Sequence, residues 1–248
     1  MGHLNPMWIG LTATILVASP LTSQDPAFEV ASVKPNDGKP SRSLYPMLRN
    51  GRFIAENVSL KTLLSVAYGL SGTRINGPEW LDTDKFDLEA KAPQGVPDNS
   101  LMPLLQTLLH ERFHVSVHRE PKEMATFDLI LARGGLKLLP FDPAHPPVTP
   151  RNTGGSLWIG ASTLPQIADG LAAIVGRPVV DRTGIEGRYS FTVHYAPPAR
   201  TLNDPVDTTS MPDIFTAIPE QMGLKLESRK QQIEVLIVDQ ATRAPVAN

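Results

Sequence analysis

The sequence predicts an α+β fold made of two tandem copies of a strand-helix-strand-helix-strand-strand unit with mainly antiparallel sheets. Three observations predict it. Short runs that alternate apolar and polar residues are interleaved with runs whose apolar residues recur at helical spacing. Neighbouring strand runs read as hairpins, which makes their pairing antiparallel. The same order of phrases then recurs once along the chain.

In the first unit, Phe28 to Val33 alternates as a leading strand expected to join the first sheet. Arg52 to Ala55 is a short extended run. Ser59 is placed to cap a helix in which Leu60, Leu63, Leu64 and Ala67 share a face. A turn-rich stretch, NGPEWLDTD, precedes the strand Lys85 to Ala90. A Pro/Gly loop, APQGVPDN, leads to the helix LMPLLQTLLHERF. The runs His114 to His118 and Thr126 to Leu131 then read as a hairpin.

The second unit starts near Gly155. SLWIGAS is extended, Thr163 caps, and Leu164, Ile167, Ala168 and Leu171 repeat the first helix. Pro178-Val179-Val180 is expected to be extended. Arg188 to Val193 matches the strand from Lys85, and the loop APPARTLNDPVDTT precedes Met211-Pro212, aligned on Met102-Pro103. Glu220 falls on Glu111, Leu224 on Val115, and the run Ile233 to Val238 on Phe127 to Ala132. The expected layout is a leader at 1–23, a first repeat at 24–140, a Pro-rich linker at 141–153 stiffened toward polyproline II, and a second repeat at 154–248.

Composition excludes several classes. The 248 residues include no cysteine, so neither disulfides nor thiolate metal sites enter. Lys+Arg 23 against Asp+Glu 25 gives net −2, no footprint for nucleic acid. The 24 prolines, about twice the usual ~5%, lie largely in loops. Met1 to Ser23 carries no acidic residue, lysine or arginine, and Met7 to Ala18 is an apolar run of secretory length, shorter than the ~20 residues of a membrane span. Cleavage after Ala18 or after Ser23 fits, and an uncleaved anchor or a buried helix is the alternative. The expectation is a periplasmic or secreted protein with no membrane span once the leader is removed.

His110-Glu111-Arg112-Phe113-His114 satisfies H-E-x-x-H, the spacing that stacks two imidazoles on one zinc with the glutamate activating water. Three features weigh against it. The helix is expected to end inside the motif, because Val115 and Val117 alternate as a strand. The second unit has Pro219 at His110 and Gly223 at His114 yet keeps the surrounding pattern. A third ligand is lacking, with His118 about 13 Å along an extended chain from His114, His145 in the linker and His194 remote. Asp82, Asp84 and Asp87 near Trp80 lack calcium-loop spacing and read as a turn. Asn57-Val58-Ser59 is a glycosylation sequon by pattern, with Ser59 better explained as a cap. Asp181 is expected to hold local amides, and Arg177, Arg182 and Arg188 to form a solvated face. No phosphate loop, dinucleotide fingerprint or nucleophile elbow is present.

The phrases FEVASVKPN, NVSLKTLLSVAYG, INGPEWLDTDKFDLEAKAP, LLHERFHVSVHREPKEM, GRPVVDRTGIEGRYSFTV and GLKLE…VLIVD resemble the uncharacterised soil-associated protein family, a domain of unknown function. The resemblance covers Phe28 to Asn248. It implies a signal peptide and a sensor context, since related architectures place the domain after antirepressor-type membrane metallopeptidases. It brings no catalytic residue, and the flanking His110 and His114 depart from the family pattern.

The expected function is an exported, non-enzymatic binding or sensor-type module for a protein, peptide or cell-envelope component, with no catalytic, cofactor-binding or metal-ligating residue assigned and no cofactor. One alternative is a zinc-dependent hydrolase using His110, Glu111 and His114; another is a structural or adhesive envelope protein.

Overall fold

The computed structural model describes residues 26–38, 46–97, 100–142, 144, 151–152, 155–196 and 211–246. The expected leader, most of the linker (His145 included) and residues 197–210 of the second proline loop lie outside the described residues. In chain order the elements are β1 (Val30–Pro35), β2 (Met47–Arg49), β3 (Arg52–Ser59), α1 (Leu60–Tyr68), a 3-10 turn Gly72–Arg74, β4 (Ile75–Asn76), α2 (Trp80–Thr83), β5 (Lys85–Lys91), α3 (Leu101–Phe113) and β6 (Ser116–Leu131). There follow β7 (Leu139–Pro140), β8 (Arg151–Asn152), β9 (Ser156–Ser162), α4 (Leu164–Val175), β10 (Val179–Asp181), β11 (Tyr189–His194), α5 (Ile214–Ala217), a π-helical turn Ile218–Met222, and β12 (Leu224–Gln240). The fold is α+β with mainly antiparallel sheets, as the alternation predicts. Among the described residues no helix is long and apolar enough to cross a membrane.

Local chemistry explains the helix ends. Ser59 accepts the amide of Thr62 at 3.1 Å, so α1 starts where its first free N–H groups find an oxygen. At α4 the Gln166 side chain accepts the Thr163 amide at 3.0 Å. The chain leaves α1 at Gly69 and α4 at Gly176, both left-handed, a conformation that costs glycine nothing.

The hairpin expected at 114–131 is not formed. Residues 116–131 make one continuous strand, β6, whose partner is the equally continuous β12. Glu120-Pro121-Lys122-Glu123 has turn composition, yet its long-range partner holds it extended. Pro121 fits because among the described residues β6 has no second neighbour there; its other partner, β10, starts at Phe127. The antiparallel register runs from Leu131 opposite Leu224 to Val117 opposite Val238. On its outer side each long strand carries a short parallel one: β10 pairs with β6 (Val179 opposite Phe127) and β4 with β12 (Ile75 opposite Leu236).

Phe127 and Leu236 therefore occupy corresponding places, 109 positions apart, as do Met102 and Met211. Burial repeats at this offset: Thr126, Phe127 and Leu129 are buried on β6, and Val235, Leu236 and Val238 on β12. The register thus sets Leu236 against Phe127, three residues along from where sequence alone aligned the last strand.

Two main cores result. One gathers Phe53, Leu63, Phe86, Leu88, Leu109 and Phe113 with Leu236 and Val238 from the end of β12. Phe86 and Phe113 meet edge to face at 4.9 Å in it. The other gathers Leu164, Leu171, Val193, Ile218 and Met222 with Phe127 and Leu129 from the end of β6. Each long strand thus starts against one core and finishes inside the other.

The turn into β12 is sterically demanding. Gly223 has φ 69, and a Cβ there would lie 1.9 Å from the Gly135 carbonyl oxygen. The approach is fixed by backbone bonds from Ala132 N to Gly223 O and from Lys137 N to Met222 O, each 3.0 Å. Gly223→Ala is expected to destabilise by more than ~2 kcal/mol, since backbone must move as well as φ. A urea unfolding midpoint close to that of the parent would contradict this.

Candidate functional site

The richest group of chemically active side chains lies where α3 ends, β6 begins and β12 finishes. Helix α3 stops at Phe113, and His114 closes it in the left-handed region at φ 49, ψ 39. That φ turns the Cα–Cβ bond of His114 off its helical course, so it does not stack one turn after His110 as a zinc pair requires. The His110 ring is engaged locally: its Nδ1 donates to the Val115 carbonyl at 3.0 Å. Glu111 is exposed on the same turn. Among the described residues no group of three or more His, Asp or Glu side chains converges to hold a metal.

His114 has a structural role that sequence spacing hides. The equivalent place before β12 is Gly223, also left-handed at φ 69, so both long strands follow a reversed helix cap. Histidine enters that region at a cost glycine escapes. His114→Gly is expected to raise stability by up to ~1 kcal/mol, read as a higher thermal or urea midpoint.

Further along β6, His118 Nδ1 lies 2.8 and 2.9 Å from the two oxygens of Asp239. A carboxylate accepts only, so Nδ1 carries the proton and Nε2 is the free face of the neutral ring. Glu120 Oε2 is 3.7 Å from that Nε2. His118 and Glu120 share a strand face because side chains repeat every two residues. Asp239 stands two residues beyond Ile237, the partner of His118, so strand alternation sets it on the His118 face, beside a register slip between Val238 and Gln240. The hydrogen bond to Asp239 holds the His118 imidazole above the ordinary histidine range, and the charges of Asp239 and Glu120 add to it.

A histidine raised in the folded state contributes stability that is fully present below its unfolded pKa and lost as pH rises through the raised one. His118 is half-exposed, so solvent damps that contribution. In Asp239→Asn the His118 titration midpoint is expected to fall toward the ordinary value, followed by imidazole NMR; an unmoved midpoint would show that Asp239 is not its cause.

Other polar groups form separate local pairs. Ser156 Oγ is 2.8 Å from His194 Nδ1 across the β9–β11 ladder, and Gln221 clamps the His194 backbone at 2.8 and 2.7 Å. Asp82 pairs with Lys61 and Asp84 with Arg243, while Asp87 accepts from Asn36 and the Asn57 amide. These three aspartates thus serve three different contacts. Asp181 accepts from the Thr183 amide and hydroxyl, as its turn reading expects. Arg177 lies over Phe127, Arg182 donates to Gln231 and Arg188 to the Ala161 carbonyl; each of the three is exposed and serves a different contact. Ser59 is buried and used as a cap, which leaves the Asn57 sequon without an open hydroxyl.

A second kind of feature is a bare sheet edge. β1 ends its sheet, with β5 as its one strand neighbour among the described residues. Asn36 donates its amide to Lys85 O on that inner side at 2.8 Å. Alternation then directs the amides of Ala31 and Val33 to the open edge. Val30 on this strand is 63% exposed.

In the sequence His118 stands only as a distant third ligand for the motif. The His118/Glu120 spacing in an alternating run could have placed the two on one face, whereas Asp239 could not be found without the β6–β12 register. A family model described as "Protein of unknown function (DUF3738)" matches residues 61–241, a segment that runs from α1 into the chain just after β12. No curated protein and no solved structure matches the chain.

Proposed function

The chain belongs to the DUF3738 family of proteins of unknown function, and from that premise and the geometry above we propose that it is a non-enzymatic binding module that takes up an extended peptide along the open edge of β1. The observation that carries this reading is the composition of the β1 edge beside the terminal strands of the other sheets. β2, β4, β7, β8 and β10 are two or three residues long, too short to template a partner strand. The open middle of the β6–β12 ribbon carries Arg119, Glu120, Pro121, Lys122, Glu227, Arg229 and Lys230, the charges and proline that discourage strand addition. β1 offers four consecutive uncharged, proline-free residues, Val30 to Val33, with an exposed valine, before Lys34 and Pro35 end it. An added strand gains its affinity from backbone hydrogen bonds and its selectivity from alternate side chains.

Among the described residues the histidines and carboxylates form separate local pairs, an arrangement that suits binding better than hydrolysis. The leader pattern at 1–23 supports export, so the peptide would come from an envelope or extracellular protein, in keeping with the sensor context the family resemblance implies.

The test is selection of peptides from a displayed library on the full chain, followed by amide NMR of the complex. Shifts at Ala31 and Val33, and at least ~10-fold weaker binding by a folded Ala31→Pro variant, are expected, since proline removes an outward donor from an edge position that otherwise tolerates it. Enriched peptides that bind the variant equally, or no enrichment at all, would overturn the reading.

A further inference from the structure

We propose that His118 Nε2 and the Glu120 carboxylate form a surface site for one borderline divalent cation of the zinc type, with Asp239 fixing the imidazole from behind. Two ligand atoms on a tetrahedral zinc sit roughly 3.3 Å apart at normal bond lengths; here Nε2 and Oε2 are 3.7 Å apart with nothing to rebuild but a side-chain torsion. The donor set, one imidazole nitrogen and one carboxylate oxygen, suits zinc or nickel better than calcium or magnesium. The Asp239 contact supplies what metal-bound histidines characteristically have, a carboxylate on the other ring nitrogen that sets the tautomer and raises ligand basicity. With two protein ligands, the remaining positions are open to water or to a donor atom on a bound molecule.

The fold itself does not call for this trio. At the corresponding end of the ladder, 109 positions away, Glu227 stands for His118 and Arg229 for Glu120, and Ile130 for Asp239. There the register continues without a slip to Leu224 opposite Leu131. The bulge at Asp239 is thus a departure at one end of a pattern that closes regularly at the other, and the carboxylate–imidazole contact lies beside it. Bulges of this kind re-aim side chains and gather near functional sites. The site is distinct from the H-E-x-x-H spacing, because the His110 ring is turned to the Val115 carbonyl and His114 caps the helix.

The experiment is calorimetric titration of the untagged full chain with zinc chloride, beside four variants checked for an unchanged circular dichroism spectrum. The parent is expected to bind one equivalent. His118→Ala and Glu120→Gln are each expected to weaken binding at least ~10-fold, and Asp239→Asn by about 10-fold through the lost support. The double variant His110→Ala/His114→Ala is expected to bind like the parent. No saturable binding by the parent, binding that survives His118→Ala, or loss in the double variant would each overturn the assignment.

Discussion

The antiparallel ladder between Ser116–Leu131 and Leu224–Gln240 crosses from one hydrophobic core to the other, and each core is incomplete without the strand end that arrives along it. Leu236 and Val238 pack among residues of α1, α3, β3 and β5, while Phe127 and Leu129 pack among residues of α4, β11 and the π-helical turn. Fully burying one such side chain is worth about 1.5–3 kcal/mol, so each exchanged strand end contributes several kcal/mol to the core it enters. The two halves of the chain therefore share a central sheet, β10-β6-β12-β4, in which each long strand also takes a short parallel strand from the opposite half.

Corresponding positions show which residues answer to the frame and which to something else. A left-handed residue before each long strand is part of the frame, filled by Gly223 in one place and by His114 in the other. A second recurrence precedes each unit's first helix: Asn57 and Ala161 both have positive φ, two residues ahead of the caps Ser59 and Thr163. Asn57 is held there by Asp87, whose oxygen accepts its amide at 2.9 Å. Features that recur in geometry while changing in residue type are backbone requirements. The slip at Asp239 has no counterpart at the other end of the ladder.

Much of the fold was legible because local signals agreed with one another. Helix α3 occupies the thirteen residues of LMPLLQTLLHERF, where leucine spacing, a preceding proline loop and a following alternation all point the same way. β5 alternates cleanly and is buried at Phe86, Leu88 and Ala90. What was not legible is the middle of β6. Residues 118–125 lack a buried apolar stripe because water reaches both faces of the ribbon, so the period-2 signal that marks a strand is missing. Only β12, about a hundred residues later, keeps Pro121 and its neighbours extended. The candidate site divides likewise: Glu120 follows His118 by one strand period, whereas Asp239 is joined to them through long-range register alone.

The ribbon between the cores carries ion pairs, Lys230 with Glu123 at 3.0 Å, Arg229 with Asp128 at 3.6 Å and Arg119 with Glu234. The exposed pairs among them, Lys230 with Glu123 and Arg119 with Glu234, contribute about 0–1 kcal/mol each and weaken with salt, less than the buried strand ends supply. Their stronger effect is on what approaches. A neighbouring strand laid along the ribbon would have to strip water from several charges and meet a proline with no amide to offer. On β1 the balance is reversed, because valine, alanine and serine lose little on desolvation and the outward amides of Ala31 and Val33 remain to be satisfied. The polar ribbon and the bare edge are thus two outcomes of one physical rule: unpaired backbone attracts a partner strand unless the side chains around it make that strand unwelcome.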